Sequence, residues 1–164
     1  MKNILIQTAK RTGLVDADQL TKFLEENSNS VRLDEALLNC PYFTEDVILK
    51  LFAESLGWEY IPEISAKSVP PEFVESVPAT YAQHHFLIGI KSQADNGELT
   101  VVLSKPLDAN ALGNVSKMTG LPVKAAVSTR AAITSVIDIA YEQRSTVIEE
   151  VAEELDSQNL DQLV

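Results

Sequence analysis

The side chains best suited to chemistry are few and scattered. His84 and His85 are the only two histidines. Adjacent residues point in different directions on a helix or a strand, so they miss the i, i+4 geometry of a metal pair, and no cysteine lies near them. They are expected where a connector enters a sheet, one packed and one wet. Cys40, the single cysteine, stands before Pro41 with no histidine close in sequence to activate it. It reads as a structural thiol that cannot close an intramolecular disulfide. Glu25-Glu26, Glu59 and Glu63 are available acids, but carboxylates on amphipathic helices and near turns usually form a solvated face. Cradling a phosphate needs a G-x-x-x-x-G-K-[ST] run, and neither Gly113 nor Gly120 opens one. No catalytic residue and no metal ligand is expected, and the chain by itself is not read as an enzyme.

Composition narrows the partners. The 164 residues carry a formal net charge of −11, which disfavours nucleic acid and anionic lipid surfaces, since like charges repel at contact. Six carboxylates, Glu149, Glu150, Glu153, Glu154, Asp156 and Asp161, follow Arg144, after which no basic residue occurs. The body is therefore only mildly acidic, and the tail reads either as a solvated linker or as a spacer towards a further domain. No apolar run approaches the roughly 18 to 20 residues needed to cross a bilayer, and the N-terminus lacks a leader pattern. A cytoplasmic chain, with no direct membrane insertion, is expected. With 45% hydrophobic residues it has ample material for a core.

The elements follow from periodicity. Asp16 can cap a helix carrying Leu20, Phe23 and Leu24, and Thr44 one carrying Val47, Ile48, Leu51, Phe52 and Leu56, with Gly57 as its stop. Shorter helices precede each, around Ile4, Leu5 and Ala9 and around Leu33, Ala36, Leu37 and Leu38. An offset of about 28 residues lays helix on helix, turn on turn and cap on cap, pairing Leu5 with Leu33, Gly13 with Pro41 and Asp16 with Thr44. Amphipathic periodicity alone forces some apolar matches, but the matched turn and cap favour a degenerate tandem repeat. Trp58, Tyr60 and Ile61 suggest a short strand or extended segment, followed by a proline-punctuated connector with a small helix from Pro71 to Val77. Strands Phe86 to Ile90 and Leu99 to Leu103 join across Asn96-Gly97 as a hairpin. A helix from Asp108 to Met118, a strand from Pro122 to Val127 and a Thr129-capped helix through Tyr141 follow. The expected fold is α+β: an all-α subdomain over 1–57, a compact β-β-α-β-α subdomain with a mixed sheet and helices on one face over 58–145, and an acidic linker or tail over 146–164.

Two stretches within residues 1–145 resemble the N-terminal region of the type II secretion and type IV pilus assembly ATPases. In the second stretch the order is carried by Val77-Pro78-Ala79, Phe86 to Ile90, Asn96-Gly97, Leu99 to Leu103, Ser104-Lys105-Pro106-Leu107-Asp108, Gly120-Leu121-Pro122-Val123, and Ile133 through Tyr141. In the first, such ATPases often carry two tandem Arg-Leu-Gly motifs, which in one branch bind cyclic di-GMP. Here the first copy has Ile4-Leu5-Ile6 and keeps Gly13; the second has Arg32-Leu33-Asp34 and puts Pro41 at the glycine position. Of these residues, only Arg32 could still hold a phosphate or a guanine edge. Losing one arginine removes a bidentate contact, and Asp34 in place of glycine adds a side chain and a repelling charge.

The resemblance therefore implies docking rather than sensing. The expected role is an N-terminal region, cut off before its motor, that binds the cytoplasmic part of an inner-membrane platform protein and couples it to that motor. The alternative is a cyclic di-GMP sensor. A third reading is a stand-alone signalling or glycosyltransferase-associated domain of the same lineage. No cofactor is expected in the chain itself, ATP and Mg belonging to the motor, and hexamer formation is expected only with the motor. The location implied is cytoplasmic, peripheral to the inner membrane through a partner.

Overall fold

The computed structural model describes residues 1–29, 32–92, 97–108 and 110–143. Its first part is helical: α1 (Lys2–Thr12), α2 (Ala17–Glu26), α3 (Leu33–Leu38) and α4 (Glu45–Leu56). Asp16 caps α2, its Oδ1 accepting from the Gln19 amide at 2.9 Å. Thr44 occupies the same place before α4 but makes no side-chain cap bond. Its side chain instead supports the Asp46 carboxylate and holds it below the usual carboxylate range. Stability from that contact is present above the ordinary aspartate pKa and is lost as pH falls through the lowered one.

The starts of α2 and α4, Ala17 and Glu45, stand 28 residues apart, and the offset pairs bury together: Leu5 with Leu33, Leu20 with Ile48, and Leu24 with Phe52. The turns differ. Gly13 ends α1 in the left-handed region at φ 70°, whereas α3 is only six residues long and ends at Asn39 with φ −94°. A proline, whose φ is held negative, cannot reproduce the glycine turn.

The rest comprises β1 (Glu59–Tyr60), a 3-10 turn (Ala66–Ser68), α5 (Pro71–Ser76), α6 (Ala79–His85), β2 (Leu87–Lys91), β3 (Leu99–Leu103), α7 (Ala111–Thr119), β4 (Val123–Val127) and a helix α8 over residues 130–143. The sheet is mixed, in the order β1-β4-β3-β2. Strands β2 and β3 are antiparallel, while β3 with β4 and β1 with β4 are parallel. The extended segment at Tyr60 thus joins the sheet as its fourth strand. Every residue of β3 is buried, so the sheet is covered on both faces there and not on one as expected. Asn96 of the expected turn and the 146–164 tail lie outside the described residues; Gly97 has the positive φ, 76°, that a tight turn uses.

Two boundaries differ from the sequence reading for physical reasons. Helix α6 was not foreseen: it follows Pro78 and buries only Ala82, so it has no apolar period to read. Helix α7 begins three residues later than expected because Leu107 and Asp108 are held in a loop, the Asp108 amide donating to the Lys105 carbonyl at 3.1 Å.

One apolar core gathers α1 to α4; the other gathers α5 to α8 and the sheet. They are continuous, since Val127 of β4 belongs to the helical core and Trp58 packs against both. Glu45 on α4 completes the seam, its Oε1 accepting from the Arg130 amide at 2.8 Å and from Arg130 Nε at 3.2 Å, which caps α8 from the other core.

Gly89 shows how tightly the sheet packs. A Cβ there would lie 2.5 Å from Phe73 Cδ2 and 3.0 Å from Leu99 Cδ2, whereas one at Gly113 would meet nothing within 4 Å. Gly89→Ala should therefore lower stability by about 1–3 kcal/mol. Gly113→Ala, within α7, should raise it by about 0.5–1 kcal/mol. Urea unfolding of the two variants, read by circular dichroism, checks both signs.

Candidate functional site

Arg32, the one residue singled out for ligand binding, caps the N-terminus of α3. Its guanidinium is turned onto its own helix. Nε donates to Asp34 Oδ1 at 2.9 Å and Nη2 to Asp34 Oδ2 at 2.8 Å, a two-pronged pair. Asp34 itself has no solvent exposure. Its remaining lone pairs take backbone donors: Oδ1 accepts from the Glu35 amide at 2.9 Å, and Oδ2 from the Leu107 amide at 2.9 Å. The second bond crosses 73 residues of sequence and ties the helical part to the loop before α7. The hydrogen bond to Asp34 raises the Arg32 pKa above its ordinary value. A raised cation pKa means that the contribution is fully present below the unfolded value and lost only at higher pH, so the pair holds across the neutral range.

Around this clamp lies a wider polar seam. Lys105 reaches Glu35 at 3.4 Å and sits over the Phe86 ring at 5.5 Å. Phe86 ends α6 with φ 49°, in the left-handed region that bulky residues rarely enter. Beside it His85 Nδ1 meets Asp108 Oδ2 at 2.9 Å, and Tyr81 stacks on His85 with ring centroids 4.3 Å apart. His84 is exposed and His85 half-buried. Among the described residues no group of three His, Cys, Asp or Glu side chains could hold a metal. Cys40 is buried and free.

The outer face of the helical part is different in kind. Of the apolar residues whose direction periodicity leaves open, Leu20, Leu24, Leu51 and Phe52 are core, while Phe23 and Val47 are half-buried. Phe23 meets Phe43 edge to face at 6.3 Å. Next to them Tyr42 is 71% exposed and borders a shallow groove of about 210 Å³ with Lys22 and Glu26. A larger groove, about 570 Å³, crosses the sheet near Thr100 and Lys124. Neither is lined by Arg32.

A family model of the MshEN domain matches residues 56–147, more than half of the chain. The chain belongs to the MshEN domain family. It is an N-terminal domain of the type II secretion and type IV pilus assembly ATPases, the lineage its motifs resemble. The matched segment carries the sheet and its helices; helices α1 to α4 lie almost wholly before it. Among solved structures, the N-terminal domain of XpsE is 26% identical, with a TM-score of 0.51 over 83% of this chain and 93% of that one. A structure of MshE with cdg is 20% identical, with a TM-score of 0.62 over 84% of this chain and 98% of that one, a likeness of fold. No curated protein matches the chain. No helix among the described residues is long and apolar enough to cross a membrane.

Sequence reasoning named Arg32 but not the clamp, because the Leu107 amide that helps hold Asp34 is remote in sequence and an amide carries no side-chain signal. The aspartate in the glycine position was the one visible clue. Asp34→Ala should cost about 2–4 kcal/mol, since it removes the two-pronged partner of a half-buried guanidinium and leaves two amides short of an acceptor. Arg32→Ala should cost a comparable amount, by leaving a buried carboxylate short of its charged partner. The double variant should fall short of the sum by about 0.5–3 kcal/mol, because both remove the same pair. A double-mutant cycle in urea measures this.

Proposed function

We propose that the MshEN domain described here is the docking and regulatory N-terminal region of a type II secretion or type IV pilus ATPase. In this reading it binds the cytoplasmic part of an inner-membrane platform protein and couples it to a motor elsewhere in the ATPase. The observation that carries the reading is the state of Arg32: both prongs of its fork are engaged by a buried carboxylate that also fastens the two cores together. An anion binding there has to share the guanidinium with Asp34, a carboxylate of like charge. Docking needs no such sharing. The aromatic surface at Tyr42, Phe23 and Phe43 offers a rigid anchor of the kind that dominates interfaces. A net charge of −11 favours a basic partner surface and an encounter weakened by salt. The seam makes the domain a stiff coupler, so that a pull on the helical part reaches the sheet.

The second reading, a cyclic di-GMP sensor, is favoured by the fold shared with the structure of MshE with cdg. The two readings separate by calorimetry. Titration with the platform protein's cytoplasmic domain should give saturable binding that Tyr42→Ala weakens at least tenfold with no change in melting temperature. Titration with cyclic di-GMP should be silent; micromolar binding lost on Arg32→Ala would move the assignment to the sensor.

A further inference from the structure

The larger groove lies away from the Arg32 clamp. Its floor is a row across three strands, Ile90 of β2 paired with Thr100 of β3 and Thr100 with Lys124 of β4. Thr100 is the one polar residue in the strand Leu-Thr-Val-Val-Leu and is 5% exposed. Among the described residues nothing pairs with its hydroxyl, which opens on the groove. Valine fills the same volume in a strand with no polar atom to satisfy, so folding alone does not call for the hydroxyl. A hydroxyl on an otherwise buried side chain, open only towards a groove and unpaired among the described residues, is available to an outside partner.

The remaining lining says which partner. Lys124 and Lys91 are exposed at the groove, and neither is in an ion pair among the described residues. Ile61, Ile64 and Ile90 supply apolar surface. Glu59 and Glu63 stand on the β1 side, so the charges of the lining cancel. Such a site suits a single negative charge on an apolar body; the two glutamates oppose a dianion such as a phosphate monoester. At about 570 Å³ the space falls within the roughly 300–1,000 Å³ of small-ligand sites.

We infer that this groove binds an amphipathic monocarboxylate, its carboxylate accepting from the Thr100 hydroxyl and the Lys124 ammonium and its apolar body lying on the isoleucines. The carboxylate is carried by a free acid or by the last residue of a peptide. The site is independent of the docking and sensing readings, since it uses none of their residues.

The test is a nitrogen-15 chemical-shift titration of the whole chain with N-acetylisoleucine, its neutral amide, inorganic phosphate and the peptide acetyl-Ser-Gly-Ile. The acid should give saturable shifts centred on Ile90, Thr100 and Lys124, with the amide and phosphate at least tenfold weaker. A peptide binding tenfold tighter than the acid identifies a chain terminus as the ligand; equal affinity identifies a free acid. Thr100→Val and Lys124→Met should each weaken the acid at least tenfold, while Thr100→Val melts higher than the parent chain. Equal binding of acid and amide, undiminished binding by Thr100→Val, or a lower melting temperature for that variant overturns the inference.

Discussion

A carboxylate removed from water must recover in hydrogen bonds what it loses in hydration, and Asp34 does so with four donors, two from Arg32 and one each from the Glu35 and Leu107 amides. Each donor constrains something different. The Arg32 pair orients the start of α3, the Glu35 amide lies in its first turn, and the Leu107 amide belongs to the loop that leads into α7. Because the four bonds converge on one group, the orientation of the second helical hairpin and the path of the β3–α7 loop cannot vary separately.

Around this point the two cores behave as one piece. Asp34 with Leu107, Glu35 with Lys105, and Glu45 with Arg130 are polar ties across the seam, and Val127 places a strand residue inside the helical core. Apolar contact supplies attraction with little directional preference, whereas a buried hydrogen-bonded charge penalises misalignment. The seam therefore combines adhesion with register. Asp34, the residue that engages Arg32, also builds the tie.

The sheet tells a complementary story. Strand β3 is buried along its whole length, but Lys91 at the end of β2 and Lys124 near the start of β4 are exposed, and there a hydroxyl, ammonium groups and apolar side chains line a groove. Gly89 lets Phe73 approach one part of the sheet to within contact of the backbone, so packing is tight where folding requires it. Thr100 departs from that rule, and departures from local consistency are where function is expected.

Much of the architecture was legible in the chain. The apolar periods, Asp16, Gly13 and Gly57 specify α1, α2 and α4, because capping and periodicity act within a few residues; the strands at Leu99–Leu103 and Val123–Val127 and the mixed sheet likewise follow from local pattern and order. Helix α6 was illegible because it buries one residue, whereas the segment at Tyr60 was legible and only its pairing with β4 was not. Arg32 could be named from its motif, but whether its guanidinium was free or engaged depended on a carboxylate's burial and on the Leu107 amide brought from 73 positions away. The row of Ile90, Thr100 and Lys124 depended likewise on strand pairing. Local sequence determines elements through short-range sterics and hydrogen bonds; which polar groups are left exposed, paired or buried is decided only when those elements pack.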